Sequence, residues 1–361
     1  MENMVISSNY WKNKKVFITG HTGFKGSWLS LWLQHLGADI CGFSLASPTE
    51  PNLFTLAKVK ENMQSITGDI RDDASIKDAI VNFKPEVVFH LAAQSLVRRS
   101  YIDPVGTYET NVIGTINVLE AIRAQNSVAS VIVVTSDKCY ENKETGKSFE
   151  EEDAMGGGDP YSSSKGCAEL VTSSYKHSFF NNENRKIGIA SVRSGNVIGG
   201  GDWAENRLIP DLCTSFIKGE QASIRYPDSI RPWQHVLDPI SGYLLLAEKI
   251  NKDSSMSGGW NFGPVEEDAK PVKWIADELV RLWGCNAGWQ RDENKHPNES
   301  GVLRLNCNKA RKQLGWQSRL SLSQALKLTV EWFKAYENND ELKAVTLNQI
   351  KHFNSLESLD A

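Results

Sequence analysis

A chain of 361 residues that is 40% hydrophobic and 23% charged can bury the core of one large domain or two modest ones, and its balance is that of a soluble globular protein. The net charge of -4 implies no general affinity for nucleic acid or an anionic membrane surface, so a site for an anionic ligand must be local. No apolar run is long enough to span a bilayer, and the polar N-terminus runs into Lys12, Lys14 and Lys15 without the apolar segment of a signal peptide. The six cysteines (Cys41, Cys139, Cys167, Cys213, Cys285 and Cys307) form no C-x-x-C pair, which points to reduced thiols in a cytoplasmic protein. The seven histidines are scattered, so no metal site is expected.

Taken in chain order, the first half alternates. Strand patterns at Val16–Thr19, Ile40–Phe43, Gln64–Gly68, Val87–His90 and Val131–Thr135 are separated by helical patterns at Ser27–Leu36, Ala74–Phe83 and Tyr108–Ala124. A further helix begins near Pro160 and runs to about Phe179, and a strand follows at Ile187–Val192. From Gly195 to Pro239 the chain is rich in Gly, Asn, Asp, Arg and Trp, which reads as loops and short helices around a polar ligand. Then come a helix at Ile240–Lys249, a strand at Gly259–Phe262, and helices at Val272–Trp283 and Ser323–Asn338, with a polar, poorly patterned tail. Alternating strands and helices predict an α/β fold: a Rossmann-type doubly wound parallel sheet with a smaller C-terminal substrate-binding domain. The expected division is a dinucleotide-binding domain over 11–195, with segments near 232–262 returning to it, a ligand domain mainly over 196–335, and a tail over 336–361.

The turn Gly20-His21-Thr22-Gly23-Phe24-Lys25-Gly26 lies between the first strand and the first helix. Glycine there lets the backbone approach a pyrophosphate, and the helix N-terminus offers it N–H groups and a positive dipole end. The alternative is a turn that only packs strand against helix. Asp69, after the third strand, can accept from an adenine amino group while Ile70 packs on the ring; equally, it can cap the helix starting near Ala74. Leu91, Ala92 and Ala93 leave room for a cofactor at the carboxyl ends of the strands. A ribose-binding acid is expected roughly 20 residues past the glycines. Gly42-Phe43-Ser44-Leu45 carries none there, so Ser44 is the weaker candidate, and the choice between NAD and NADP stays open.

Tyr161 and Lys165 stand at i and i+4 on one helical face. An ammonium beside a phenol favours the phenolate, which can take a proton from a sugar hydroxyl while its carbon gives hydride to a nicotinamide. The plain alternative is an exposed helix pair. Ser136, Asp137 and Lys138 close a strand at the sheet's carboxyl edge. Ser136 can bond the hydroxyl being oxidised, and Asp137 and Lys138 add an acid and a second ionisable group, unless they form only a turn pair.

The segments GHTGFKG, HLAAQS, TSDK, YSSSK, RSGNVIGGGDW, NRLIPD and RPWQHVLDP, spread from Trp11 to Phe333, resemble the extended short-chain dehydrogenase/reductase superfamily. Within it they are similar to nucleotide-sugar 4,6-dehydratases that act on CDP-D-glucose. The resemblance implies bound NAD that oxidises C4 of the glucose, loss of water across C5 and C6, and return of the hydride to C6. The implied product is CDP-4-keto-6-deoxyglucose, a precursor of 3,6-dideoxyhexoses in bacterial surface polysaccharide such as lipopolysaccharide O-antigen. By this resemblance Tyr161 is the C4 base, Lys165 its partner, Ser136 the residue that positions the C4 oxygen, and Asp137 the acid for the C6 hydroxyl. Related dTDP-sugar dehydratases carry a glutamate as C5 base where this chain has Lys138. Either Lys138 is that base with a lowered pKa, or it orients Asp137 while a tyrosine or water acts.

The nucleotide-sugar end is expected over 195–240. Asn196 is assigned to a phosphate oxygen, Arg207 and Arg231 to the pyrophosphate, and Asp202 or backbone carbonyls to the cytosine amine. Trp203, Asn206, Leu208 and His235 complete that surface, and Gln94 and Ser95 face the hexose. Members of the superfamily pair the helices corresponding to Tyr108–Ala124 and Tyr161–Phe179, so a homodimer or homotetramer is expected. A nucleotide-sugar 4-epimerase needs Tyr161, Lys165 and Ser136 but neither Asp137 nor Lys138. A non-catalytic dinucleotide sensor would typically lack the Tyr–Lys pair.

Overall fold

The computed structural model describes residues 6–182, 185–284, 287–294 and 303–357. Seven parallel strands form its central sheet. They are β1 (Lys15–Thr19), β2 (Asp39–Ser44), β3 (Gln64–Thr67), β4 (Val87–His90), β5 (Ser130–Val134), β6 (Gly188–Ser194) and, after strands that lie outside this sheet, β9 (Gly258–Phe262), in the order β9-β6-β5-β4-β1-β2-β3. All six ladders are parallel, as βαβ crossovers require. Side chains of successive strand residues point to opposite faces, so Val16 and Ile18 of β1 enter one hydrophobic cluster and Phe17 the other. A strand buried on both faces reads as an unbroken apolar run, which is why the central strands lie within about two residues of their expected places; the exposed edge strand β3 has no such pattern.

Helix α1 (Phe24–His35) starts three residues before its expected position, because Gly23 of the turn is itself the N-cap. Helix α2 (Asp73–Phe83) is capped by Asp72, whose carboxylate accepts from the Ser75 amide. Asp69 is therefore not the cap. A short helix, α3 (Val97–Ile102), was not expected. The single helix expected over Tyr108–Ala124 is instead α4 (Pro104–Tyr108), a π turn (Glu109–Ile113) and α5 (Gly114–Arg123). A Cβ on Gly114 would stand 2.5 Å from Ile70 Cδ1, so glycine lets α5 lie directly against that side chain. Helix α6 (Pro160–Tyr175), with Asp159 as N-cap and Pro160 in its first turn, also ends in a π turn, Lys176–Phe180.

Beyond β6 the chain builds the roof of a cavity. Strand β7 (Asn196–Ile198) pairs in parallel with β8 (Ile230–His235), which pairs antiparallel with Ala269–Pro271. Helix α7 (Leu208–Ile217) lies between them in sequence. Helix α8 (Leu237–Lys252) returns to the sheet and packs on β5 and β6. Helices α9 (Val272–Trp283) and α10 (Leu322–Glu337) follow. The residues expected to form an unpatterned tail form another helix, α11 (Leu342–Ser355). Its Phe353 ring meets Trp32 of α1 edge to face at 5.5 Å, and its Thr346 hydroxyl accepts from the Trp332 indole at 3.0 Å. Ile350 and Phe353 are fully buried, and each such side chain contributes about 1.5–3 kcal/mol. No helix among the described residues is long and apolar enough to cross a membrane. The five described cysteines are free, and Cys285 lies outside the described residues.

Candidate active site

A cavity of about 920 Å³ opens over the carboxyl ends of the central strands, between the sheet and the roof. One end is floored by the glycine turn. Gly20 has φ +77°, and a Cβ there would stand 2.7 Å from the Ala92 amide nitrogen; a Cβ on Gly26 would stand 2.1 Å from the Gly20 carbonyl oxygen. Only glycine fits either place. Gly23 caps α1 without a side-chain hydrogen bond, so no side chain competes for the first-turn amides. Thr22, Phe24, Lys25, Ile70, Leu91 and Ala93 line the same space. Asp69 also lines it, and its carboxylate accepts from the backbone and guanidinium of Arg71 at 2.9 and 2.6 Å. The Ser44 hydroxyl bonds that of Thr22 at 2.8 Å. The His21 ring covers Gly42 and bonds Ser65 at 2.8 Å; burial pushes it down to about 4, so it is neutral at ordinary pH. This cradle fits a dinucleotide: glycines 20, 23 and 26 would admit its pyrophosphate and Asp69 and Ser44 would meet its adenosine end.

At the middle of the cavity Ser136, Asp137, Lys138, Tyr161 and Lys165 converge. The Ser136 hydroxyl donates to Asp137 Oδ1 at 3.0 Å and accepts from the Lys138 amide at 3.2 Å. Burial pushes the Asp137 carboxyl up, against the pull of Lys138, a hydrogen bond from Ser136, Arg231 and Lys25. A buried carboxyl held up in this way is suited to donate a proton. Among the described residues no hydrogen bond or ion pair engages the Lys138 ammonium, which lies half-buried at the cavity wall.

The Tyr–Lys pair departs from the expectation drawn from its spacing. Burial pushes the Tyr161 phenol up to about 12; the Ser136 hydroxyl pulls it back, the Asp137 carboxylate adds to the rise, and the Arg207 guanidinium opposes it. Lys165 turns its ammonium to the Val134 carbonyl at 3.1 Å, and burial pushes it down to about 8. The reason is physical: both groups are almost fully buried, and desolvation is the largest influence on each.

The far end of the cavity carries the arginines. Arg207 binds Asp202 at 3.0 Å and the Ser95 hydroxyl at 3.1 Å, so Asp202 is already engaged by a cation. Asn196, Trp203, Leu208 and Arg231 line this end too. Asn206, at φ +63°, accepts from Arg98 at 2.7 Å and from Arg225 at 3.1 Å on the same side-chain oxygen. Arg98 and Arg225 line the cavity but were missed, because an arginine on a helix or loop reads as surface charge; the doubled Arg98-Arg99 after the fourth strand was the available signal. Lys25, expected on the cofactor side with the rest of the glycine turn, donates its ammonium to the Ser194 hydroxyl at 3.0 Å, and burial with nearby Arg207 and Lys165 pushes it down to about 7.

Two expected residues do not face the cavity. Gln94 spends its amide on Thr107 and the Leu96 carbonyl and its oxygen on the Leu96 amide, so it braces the loop behind the site. His235 is fully buried, accepts from the Leu237 amide and meets the Trp28 ring edge to face. Both are polar residues in motif segments, and their partners, backbone groups together with the Thr107 hydroxyl and the Trp28 ring, are not revealed by sequence.

Comparison with known proteins agrees with this geometry. The family model described as GDP-mannose 4,6 dehydratase matches residues 17–329. The chain is 50% identical over 355 residues to a CDP-glucose 4,6-dehydratase of Salmonella typhimurium, covering 97% of this chain and 99% of the relative. It is 25% identical over 334 residues to a dTDP-glucose 4,6-dehydratase of Xanthomonas campestris, covering 88% and 92%. A solved dTDP-glucose 4,6-dehydratase of Bacillus anthracis in complex with NAD superposes with a TM-score of 0.75 at 22% identity, over 92% of this chain and 99% of that one. A Thermus thermophilus UDP-glucose 4-epimerase complex with NAD gives 0.77 at 23% identity, over 89% and 99%. At such identities the two structures speak for the fold, a Rossmann-like parallel sheet with its helices.

Proposed function

The chain belongs to the GDP-mannose 4,6 dehydratase family, and from that premise we propose that it removes water from CDP-D-glucose to give CDP-4-keto-6-deoxy-D-glucose. It is an NAD-dependent enzyme of the hydro-lyase class. The observation that carries this reading is that Asp137 and Lys138 share one cavity with Tyr161 and Lys165, in a chain so similar to the Salmonella relative. An epimerase has no use for that extra acid and base, and a sensor has none for the whole set. The cytidine diphosphate handle follows from the relative's name.

The nicotinamide, when bound, supplies the acceptor and then the donor of the hydride that leaves C4 and arrives at C6. Tyr161 is the proposed acceptor of the C4 hydroxyl proton, for which Ser136 holds the oxygen in place; the positive charge of a bound nicotinamide would offset the burial that raises the phenol and favour its ionised form. The C4 ketone acidifies the C5 proton, which Lys138 takes. Asp137 gives a proton to the C6 hydroxyl, which leaves as water, and a proton returns to C5. Lys165 orients the ribose beside Tyr161. Asn196, Arg207 and Arg231 are suited to the diphosphate by their charge or amide donors and their place at the far end of the cavity. We read the protein as a cytoplasmic homodimer or homotetramer whose product feeds 3,6-dideoxyhexoses of surface polysaccharide.

The test is mass spectrometry of the purified protein with NAD and, separately, CDP-, dTDP-, UDP- and GDP-glucose. Loss of one water from CDP-glucose is expected. An unchanged mass with inverted C4 would mean an epimerase, and water lost only from another nucleotide sugar would move the base preference.

A further inference from the structure

Beneath the cavity, out of reach of any substrate, lies a buried pair of opposite charges. Arg193 donates through Nε to Glu169 Oε1 at 2.9 Å and through Nη2 to Oε2 at 2.8 Å. The two side chains are 5% and 4% exposed. Neither lines the cavity. Glu169 also accepts from the hydroxyls of Thr135 and Ser191. The third guanidinium nitrogen of Arg193 donates to the Tyr140 hydroxyl at 2.6 Å and the Glu151 carbonyl at 2.9 Å. Tyr140 is fixed in turn by Asn261 at 2.7 Å and by stacking on Phe149. A slot is built for the pair: a Cβ on Gly259 would stand 2.4 Å from Arg193 Nη2.

The sequence positions of these partners matter. Thr135 immediately precedes Ser136, and Tyr140 follows Lys138 by two residues. One ion pair therefore grips both ends of the turn that carries Ser136, Asp137 and Lys138. Glu169 is one helical turn beyond Lys165 on α6, and Arg193 is on β6. We propose that Glu169 and Arg193 are positioning residues for the dehydration, locking the Ser136–Lys138 turn against the helix that carries Tyr161 and Lys165 and giving the Lys165 ammonium its counter-charge. This rests on the roles assigned above to Tyr161 and Lys165.

The electrostatics agree. The charged or titratable groups that act with Lys165 are Glu169 on its own helix, Cys139 on the turn, Lys25 on α1 and His90 on β4, with Tyr161 one turn away. Of these, Glu169 is the first that favours the ammonium against its burial. With the carboxylate removed, Lys165 loses its proton at lower pH.

The test uses three variants of the full chain: Glu169→Gln, Glu169→Asp and the double variant Glu169→Leu/Arg193→Met, which leaves no lone buried charge. Acylation of Lys165 is followed against pH by mass spectrometry without substrate, beside kcat, KM for CDP-glucose and thermal melting. In Glu169→Gln the midpoint for Lys165 is expected to fall by about one pH unit and kcat by about a hundredfold with KM little changed, because misplacement of this size acts on the chemical step. Glu169→Asp is expected to restore the midpoint. The double variant is expected to melt near the parent yet keep the low kcat. A parental midpoint in Glu169→Gln, or parental kcat and pH profile in the double variant, would overturn the proposal. So would failure of the double variant to fold, since the pair would then serve the fold alone. The midpoint needs no turnover, so a parent inactive on CDP-glucose would count against the substrate and leave this result readable.

Discussion

In the proposed reaction Lys138 and Asp137, adjacent in the chain, take opposite roles, since one is to accept a proton from carbon and the other to give one to oxygen. The Lys138→Met variant keeps Tyr161, Ser136 and Lys165, so it is expected to oxidise C4, visible as cofactor reduction in a single turnover. Exchange of the C5 hydrogen with solvent deuterium is expected to fall by about 10²–10⁴, the usual worth of a general base. Near-normal exchange would transfer the role to a tyrosine or a water. For Asp137 the sign is set by burial, which raises its carboxyl. The acid works while protonated and is lost as pH rises through that raised value, so it gives kcat an alkaline limb. In Asp137→Asn this limb should vanish while kcat falls by about 10²–10⁴, and C5 exchange, which precedes loss of the hydroxyl, should persist. A pH–rate profile of both proteins checks this.

Asp238 opens α8 and ties two elements together. Its Oδ1 accepts from the Arg319 amide at 2.7 Å, and its carbonyl accepts from the Trp316 indole at 3.2 Å, on the segment that leads into α10. Burial pushes its carboxyl up to about 7. A carboxyl raised by folding adds stability fully below its unfolded value, and that stability is lost as pH rises through the folded one. Thermal stability should therefore fall between about pH 4 and 7. Asp238→Asn, whose amide stays neutral throughout, should flatten that part of the curve; an unchanged slope in calorimetry would assign it elsewhere. The central strands were legible because burial on both faces leaves no polar alternation to confuse with a helix; the exposed edge strand β3 lacks that signal. The glycine turn and the Ser136, Asp137, Tyr161 and Lys165 positions were legible because each needs a particular residue type at a fixed spacing. The π turns after α4 and α6 were not, since one extra residue in a turn leaves the apolar periodicity almost intact. Helix α11 was missed because its core contact rests on few residues, Ile350 and Phe353 among them, in a polar segment. Gln94 and His235 were misplaced because a motif does not say whether a polar side chain meets a ligand or its own backbone.

Over the whole molecule, the surface behind the catalytic helix is where association should occur. Helices α5 and α6 are bound together by the Tyr175 hydroxyl, which donates to Glu120 at 2.7 Å, and by Arg123 over the Phe179 ring. Around them Leu170 of α6 (62%), Ile113 (49%) and Phe179 (40%) of the two π turns, and Val105 of α4 (67%) are nevertheless exposed. Scattered single apolar residues are ordinary on a surface, but Val105, Ile113, Leu170 and Phe179 lie on α4, α6 and the π turns that follow them, elements that pack on one another, and several on neighbouring elements are the kind of feature that marks an interface. A second copy is the occupant that fits, because two such helix pairs can pack face to face by ridges into grooves. A stable interface buries roughly 800 Å² on each partner, with its energy concentrated at central side chains. A glutamate at Leu170 would place a charge there, at a site already open to solvent in the single chain. Leu170→Glu should therefore fold but sediment as a smaller species than the parent at the same micromolar concentration. Because α6 also carries Tyr161 and Lys165, the smaller species should melt at lower temperature and lose part of its kcat. A variant that sediments like the parent would place the interface elsewhere, and a parent that is already monomeric would remove the patch from the account of assembly.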